Sequence, residues 1–330
     1  MRFVVGITDH MIPPPDLEAA VLDGLAEIDF LNSRREDALD PERLGRLDAL
    51  LVWGTPLGRG SVAKLARCRI VVRFGVGYEK VDVAALHEAG IPFCNNPDYG
   101  TEEVADHAVA MILSLQRRLW EHDARARGYE ATWQTNTLSP LLRSGAATVG
   151  VVGVGRIGTA VVNRLKPFGH RILGYDPYQP AGHEKAVGYR RVRRLEELLA
   201  ESDVVTFHCP ATEETRGLIG EALLAAMKPG AILVNTARGE LFAGLDPIDA
   251  ALRSGRIAAV GTDVLPTEPP KPHALLDAWR RREDWLAGRL VVTPHNAFHS
   301  DLAAVEMRRN AAETVRLFLE DGTLRNRILP

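Results

Sequence analysis

Cysteine is scarce in this chain: Cys68, Cys94 and Cys209 are the only three among 330 residues. An odd number at these spacings fits neither a disulfide framework nor a zinc site, so no metal is expected. A reducing, cytoplasmic setting is the simplest expectation. No run of about 18 apolar residues occurs, which argues against a transmembrane helix. The N-terminal run Phe3–Ile7 is too short for a signal peptide. Charge of one sign is missing too. Lys and Arg number 40 against 43 Asp and Glu, a formal net charge of −3, and this offers no electrostatic case for nucleic-acid binding. The densest basic run, Arg190-Arg191-Val192-Arg193-Arg194, reads as a solvated helix entrance. There is no internal repeat and no low-complexity segment.

What is present is the composition of an ordinary globular protein, 46% hydrophobic and 25% charged. The length suggests two domains. Short apolar runs at Phe3–Ile7, Ala49–Trp53, Ile70–Phe74 and Pro92–Cys94 read as buried strands, with helical patterns at Leu17–Leu25 and Val81–Ala89. A long helix is expected after Gly100. Thr101 is its candidate N-cap, Glu102 and Glu103 sit where the helix dipole favours negative charge, and Val104, Ala108, Met111, Ile112 and Leu115 form its apolar face. A second series begins at Thr148, with strands expected at Thr148–Val152, Arg171–Tyr175, Val204–Phe207, Ala231–Asn235, Ala258–Thr262 and Leu290–Val292. A last helix is expected over Asp301–Glu320. Strands alternating with helices imply parallel sheets covered on both faces.

The strand at Thr148–Val152 runs directly into Gly153-Val154-Gly155-Arg156-Ile157-Gly158. The first glycine permits a tight turn, the second lets backbone approach a pyrophosphate, and the third lets helix and strand pack closely. The following helix would offer free N–H groups and positive dipole to phosphate. An acidic residue, Asp176, ends the next strand at the distance expected for a ribose-binding carboxylate. Its charge would repel a 2′-phosphate, and no cation follows in Pro177-Tyr178. The pattern predicts a Rossmann domain that takes NAD rather than NADP.

With these segments placed, the chain resembles the D-isomer-specific 2-hydroxyacid dehydrogenase family along nearly its whole length. The likeness is carried by Phe74-Gly75-Val76-Gly77, Glu103-Val104-Ala105-Asp106-His107, the glycine loop, His208-Cys209-Pro210, Asn235-Thr236-Ala237-Arg238-Gly239, Ser254-Gly255-Arg256-Ile257, Asp263-Val264, Glu268-Pro269 and Thr293-Pro294-His295. Its C-terminal part, through Phe298-His299-Ser300 and Glu306-Met307-Arg308, is most similar to the C-terminal-binding protein branch.

The resemblance implies Arg238, Glu268 and His295 as the catalytic trio. Arg238 would hold the carboxylate of a 2-oxo acid in its planar, charged fork. His295 would pass a proton to or from the substrate oxygen, and Glu268 would favour its imidazolium form. Alone, Glu268 in its proline-rich stretch would read as a surface charge, and Glu240 is a rival for its place. Val76 and Gly77, together with Arg238 and His295, would bind substrate. Thr101, Gly153, Gly155, Arg156, Ile157, Gly158, Asp176, Cys209, Pro210, Thr215, Thr236, Ala237, Arg238, Asp263, His295 and Phe298 would contact the cofactor, with Cys209 a wall rather than a nucleophile. Two positions depart from the pattern. Glu79 and Lys80 stand where many members have an acidic residue and an asparagine, and Phe298 stands where the C-terminal-binding protein branch has tryptophan.

The implied fold is α/β, with two doubly wound parallel-sheet domains. A Rossmann NAD-binding domain (101–299) is expected to be inserted in a flavodoxin-like substrate domain (1–100 and 300–330), with substrate in a cleft between them and a dimerisation arm near 120–147. The expected function is interconversion of a 2-oxo acid and a D-2-hydroxy acid by a homodimer. Two alternatives stay open: an NAD(H)-sensing, peptide-binding corepressor, and a phosphite dehydrogenase.

Overall fold

The structure, a computed structural model, describes residues 2–9, 13–128, 133 and 141–329. The chain divides into two compact units, Met1–Gly100 with His299–Pro330, and Thr101–Phe298. Residues 129–132 and 134–140 of the arm expected near 120–147 lie outside the described residues. The described part includes a helix, Leu119–Arg127.

Five strands of the first unit come before the second begins: β1 (Phe3–Ile7), β2 (Ala26–Phe30), β3 (Ala49–Val52), β4 (Ile70–Arg73) and β5 (Phe93–Cys94). The second unit holds β6 (Thr148–Val152), β7 (Arg171–Tyr175), β8 (Arg190–Arg191), β9 (Val204–Phe207), β10 (Ala231–Asn235), β11 (Ile257–Thr262) and β12 (Leu290–Val292). The chain then returns to the first unit through a helix, Asp301–Asp321, and β13 (Arg327–Ile328).

The first sheet has the order β13-β5-β4-β3-β1-β2. Its five leading strands are parallel in the flavodoxin-like order, and β13 adds an antiparallel edge beside β5. The second sheet runs β12-β11-β10-β9-β6-β7-β8 and is parallel throughout, the doubly wound dinucleotide-binding order extended by one strand. Strand order reverses between β6 and β9, and a ligand of such a sheet binds outside the carboxyl ends of the strands at that point.

Three local expectations change. Ala26–Phe30 was not expected as a strand. It lies at a sheet edge, and its Asp29 is held by Arg43 and Arg46, so charge interrupts the apolar signal. The basic run at 190–194 starts not as a helix entrance but as an edge strand: Arg190 and Arg191 pair with Leu173 and Gly174, and the helix starts only at Leu195. Buried Tyr189 and Val192 flank the pair and pin it to the sheet. Thr101 is not an N-cap but the first residue of the helix Thr101–Gln116, with its hydroxyl oxygen buried and unpartnered. No helix among the described residues is long and apolar enough to cross a membrane.

The C-terminal helix is tied into the first unit by charge as well as by apolar contact. Glu18 is fully buried, and its carboxylate accepts from Arg308 Nε at 3.0 Å and Nη2 at 2.8 Å. The same guanidinium reaches Asp16 at 2.6 Å and the Pro14 carbonyl at 3.1 Å. Removing one partner of a buried ion pair leaves the other charge uncompensated. Arg308→Ala should therefore cost on the order of 3–5 kcal/mol, read as a lower urea midpoint. An unchanged midpoint would show that Glu18 does not depend on this arginine.

Candidate active site

The carboxyl end of the second sheet carries the three residues expected to be catalytic. Asn235 ends β10, and its side chain builds the turn that follows. Its Oδ1 accepts from Ala237 N–H at 3.0 Å, and its Nδ2 donates to the Arg238 carbonyl at 3.0 Å. Asp263 plays the matching part beyond β11. Only 2% exposed, it accepts from Thr293 Oγ1 at 2.6 Å and from Asn296 N–H at 3.0 Å on Oδ1, and from Ala297 N–H at 2.9 Å on Oδ2. Its carbonyl takes the His295 N–H at 2.8 Å. Since Asn235 pairs with Thr262, the two polar side chains stand at the ends of adjacent strands. One aims the Arg238 turn and the other the His295 turn.

His295 has φ +53°, in the left-handed region. That conformation costs a residue with a Cβ roughly 1–2 kcal/mol, which the surrounding hydrogen bonds must offset. The ring then lies against Glu268, with Nδ1 at 2.6 Å from Oε2. Glu268 is oriented in turn by Leu265 N–H, which donates to Oε1 at 2.9 Å. Partial burial pushes the Glu268 carboxyl upward. The His295 hydrogen bond, the Leu265 N–H and the charges of His295 and Arg238 outweigh that, so it sits below the usual carboxylate range. A lowered carboxylate value means the pair's contribution is present at neutral pH and lost as pH falls through that value. With Nδ1 committed to Glu268, Nε2 is the nitrogen turned outward. Glu240 lies in the short helix Gly239–Leu241, and its carbonyl bonds Gly217 N–H. The geometry brings Glu268, not Glu240, to His295.

Gly239 makes this grouping possible. A Cβ there would stand 1.9 Å from the Leu265 carbonyl oxygen and 2.4 Å from its carbon. The Arg238 turn thus lies directly against the segment that presents Glu268.

The phosphate loop has the expected features at the reversal point. Gly153 has φ +86°, and a Cβ on it would meet Cys209 N at 2.7 Å and His208 C at 2.8 Å. A Cβ on Gly158 would fall 2.0 Å from the Gly153 carbonyl oxygen, whereas one on Gly155 would meet only open space. Open space before the helix Arg156–Leu165 is what an anion at a helix N-terminus needs. Asp176 braces the loop: Oδ2 accepts from Val154 N–H at 2.8 Å and Oδ1 from Tyr178 N–H at 3.0 Å. Among the described residues of this unit, three polar atoms are buried without a hydrogen-bond partner: Thr101 Oγ1, Thr236 Oγ1 and His208 Nδ1. Unpaired buried polar atoms are costly, and two of these belong to residues expected to contact a cofactor. The residues present therefore fit a dinucleotide.

The model of the family described as D-isomer specific 2-hydroxyacid dehydrogenase, NAD binding domain, matches residues 109–297. The chain belongs to the D-isomer-specific 2-hydroxyacid dehydrogenase family. Its second unit holds the NAD-binding domain of that family. The chain is 37% identical over 273 residues to D-3-phosphoglycerate dehydrogenase of Mycobacterium leprae, covering 82% of this chain and 49% of that protein. It is 30% identical over 310 residues to C-terminal-binding protein 1 of Caenorhabditis elegans, covering 91% of this chain and 41% of that one. The chain thus spans less than half the length of either relative. Among solved structures, D-lactate dehydrogenase from Aquifex aeolicus, complexed with NAD and lactic acid, superposes with a TM-score of 0.81 at 26% identity, covering 97% of this chain and 96% of the other.

Other residues expected at the site have less exposed chemistry. Burial pushes the Cys209 thiol up to about 11, as it does Cys94, and Cys68 to about 12, so none is a thiolate nucleophile at neutral pH. Thr215 Oγ1 is spent closing the turn from Pro210, donating to the Pro210 carbonyl at 2.6 Å and accepting from Thr212 N–H at 2.8 Å. Loss of solvation inside the fold drives His208 down to about 3, so its ring is neutral. Phe298 is half-buried at the end of the second unit. Val76 and Gly77 belong to the first unit, where Asn95 Nδ2 holds the Val76 carbonyl at 2.8 Å and Arg73 Nε the Gly77 carbonyl at 2.7 Å. Because the peptide plane is trans, pinning the Val76 carbonyl turns the Gly77 N–H the opposite way. Asn235, Gly239, Thr293 and His107 were recognised only as members of motifs. Their structural work depends on contacts that sequence spacing does not display.

Gly239→Ala should force the Leu265 backbone away and destabilise the protein by about 1–3 kcal/mol, measured by thermal unfolding. A melting temperature equal to wild type would contradict the close approach.

Proposed function

We propose that the protein interconverts a 2-oxo acid and a D-2-hydroxy acid with NAD(H). The observation that carries this reading is the Glu268–His295 pair at 2.6 Å, with the Arg238 charge close enough to depress the Glu268 carboxyl. A planar guanidinium beside a carboxylate-backed imidazole suits a substrate that has a carboxylate next to a ketone.

In this reading Arg238 binds the substrate carboxylate bidentately and draws electron density from the neighbouring carbonyl. His295 Nε2 donates a proton to the carbonyl oxygen during reduction and recovers it during oxidation. Glu268 holds the ring through Nδ1 and stabilises its charged form, the orienting role a carboxylate plays beside a catalytic histidine. When bound, NADH supplies the hydride. Gly153, Gly155, Arg156, Ile157 and Gly158 would cradle the pyrophosphate. Asp176 would take the adenosine ribose and disfavour NADP by its charge. Thr101, Thr236, Ala237, Asp263 and Phe298 would line the nicotinamide end, and Cys209, Pro210 and Thr215 the adenosine and nicotinamide-ribose side. The D-lactate dehydrogenase whose structure holds NAD and lactic acid supports a 2-hydroxy acid as the substrate class. The family resemblance also implies a cytoplasmic homodimer.

The test is NADH oxidation over a panel of 2-oxo acids, including glyoxylate, hydroxypyruvate, phenylpyruvate and methylthio-substituted acids. At least one should turn over. Arg238→Ala and His295→Ala should each lower the rate by roughly 10²–10⁴-fold while NADH binding, followed by fluorescence, stays measurable. Normal turnover by both variants would sink the mechanism. Reduction of NAD by phosphite alone, or NADH binding without turnover of any acid, would replace the reading with one of the two alternatives. Glu268→Gln keeps an acceptor but removes the charge behind the proton donor, so its reduction rate should fall well below that of wild type while NADH binding stays measurable. An unchanged rate would show that Glu268 does not support the proton donor.

A further inference from the structure

We propose that His107 and Thr293 are positioning residues, which hold His295 in register with Glu268 through the buried carboxylate of Asp263. The inference rests on the dehydrogenase reading for its kinetic part, and on hydrogen-bond geometry for the rest.

The chain of contacts can be followed atom by atom. The Asp263 carboxylate receives two backbone N–H groups, from Asn296 and Ala297, so its oxygens act as acceptors. The Thr293 hydroxyl lies 2.6 Å from Oδ1 and must donate to it. A hydroxyl has one hydrogen, and this bond uses it. What Thr293 turns to His107 Nε2, 3.0 Å away, is therefore a lone pair. His107 carries its hydrogen on Nε2 and donates. The direction of every bond follows: His107 to Thr293, Thr293 to Asp263, with Asp263 also gathering the backbone of the turn that contains His295.

The far end of this chain is firm. His107 sits on the helix Thr101–Gln116. That helix lies so close to β11 that a Cβ on Gly261 would stand 3.0 Å from Leu115 Cδ1 and 3.2 Å from Met111 Sδ. The near end needs support, because His295 adopts a left-handed backbone with a ring-bearing side chain. Thr293 lies two residues before His295, and the His295 N–H is shared between the Asp263 carbonyl at 2.8 Å and the Thr293 carbonyl at 3.1 Å. Loosening Thr293 thus loosens the backbone that aims the imidazole. Neither His107 nor Thr293 is assigned contact with substrate or with the reacting atoms.

Thr293→Val keeps the shape and removes both hydrogen bonds. Thr293→Ser keeps both. His107→Leu removes the outer bond alone. Two readouts separate positioning from a general loss of structure. In proton–nitrogen spectra of histidine-labelled protein, the short His295 Nδ1–H bond to Glu268 should give a strongly deshielded proton, identified by its disappearance in His295→Ala. That signal should vanish or move in Thr293→Val and His107→Leu and persist in Thr293→Ser. In kinetics with the 2-oxo acid that turns over best, Thr293→Val should lose about 10–100-fold in kcat, the scale of an ångström-level misplacement. KM and the NADH dissociation constant should stay near wild type, and Thr293→Ser should recover the rate. A Thr293→Val protein with the wild-type signal would overturn the proposal, as would a Thr293→Ser protein as impaired as Thr293→Val. If wild type turns over no 2-oxo acid, the dehydrogenase reading fails, and the spectra still decide whether His107 and Thr293 hold the imidazole.

Discussion

The geometry of the candidate site in the second unit depends on one buried carboxylate. Asp263 lies just past the end of β11 with almost no exposure, and all of its hydrogen-bond donors come from the turn that contains His295. A buried carboxylate must be hydrogen-bonded or it is expensive. Here the same bonds that offset its burial close a turn and hold a histidine in a conformation it would not otherwise choose. Asn235 repeats the device one strand away with an amide in place of a carboxylate. A parallel sheet sends the ends of adjacent strands out on one edge, so two short polar side chains suffice to bring residues 57 positions apart, Arg238 and His295, into one electrostatic neighbourhood.

The two halves of the unit divide the work. In the proposed reading the β6 and β7 side would receive a dinucleotide with backbone and glycine, and Asp176 braces the loop. The β10, β11 and β12 side presents charged and titratable side chains. The strand-order reversal between β6 and β9 puts the glycine loop in contact with the exit of β9, as the close approach of Gly153 to Cys209 records. Gly239 does the equivalent on the catalytic side, where a bare Cα lets the Arg238 turn touch Leu265.

Much of this was legible beforehand because it is local. Thr148–Val152 followed by the glycine loop, and Asp176 at the next strand's end, are patterns within about thirty residues, and the fold order follows from strand–helix alternation. The strand at Ala26–Phe30 was not legible, since an edge strand carrying Glu27 and Asp29 lacks the apolar run of its neighbours. Arg190 and Arg191 misled for the opposite reason: a basic pair looks solvated, yet buried Tyr189 and Val192 anchor it to the sheet. Glu268 looked like a surface charge in a proline-rich loop, and only the family pattern singled it out. The bond between His107 and Thr293 spans 186 positions and joins a helix to a strand end, so no periodicity could announce it.

The most direct test of the central claim is a crystal structure with NADH and oxamate, an unreactive mimic of a 2-oxo acid. The account predicts the oxamate carboxylate on the Arg238 guanidinium and its carbonyl oxygen about 3 Å from His295 Nε2, with His295 Nδ1 still bonded to Glu268. Oxamate bound with His295 turned away, or held by cations other than Arg238, would contradict it.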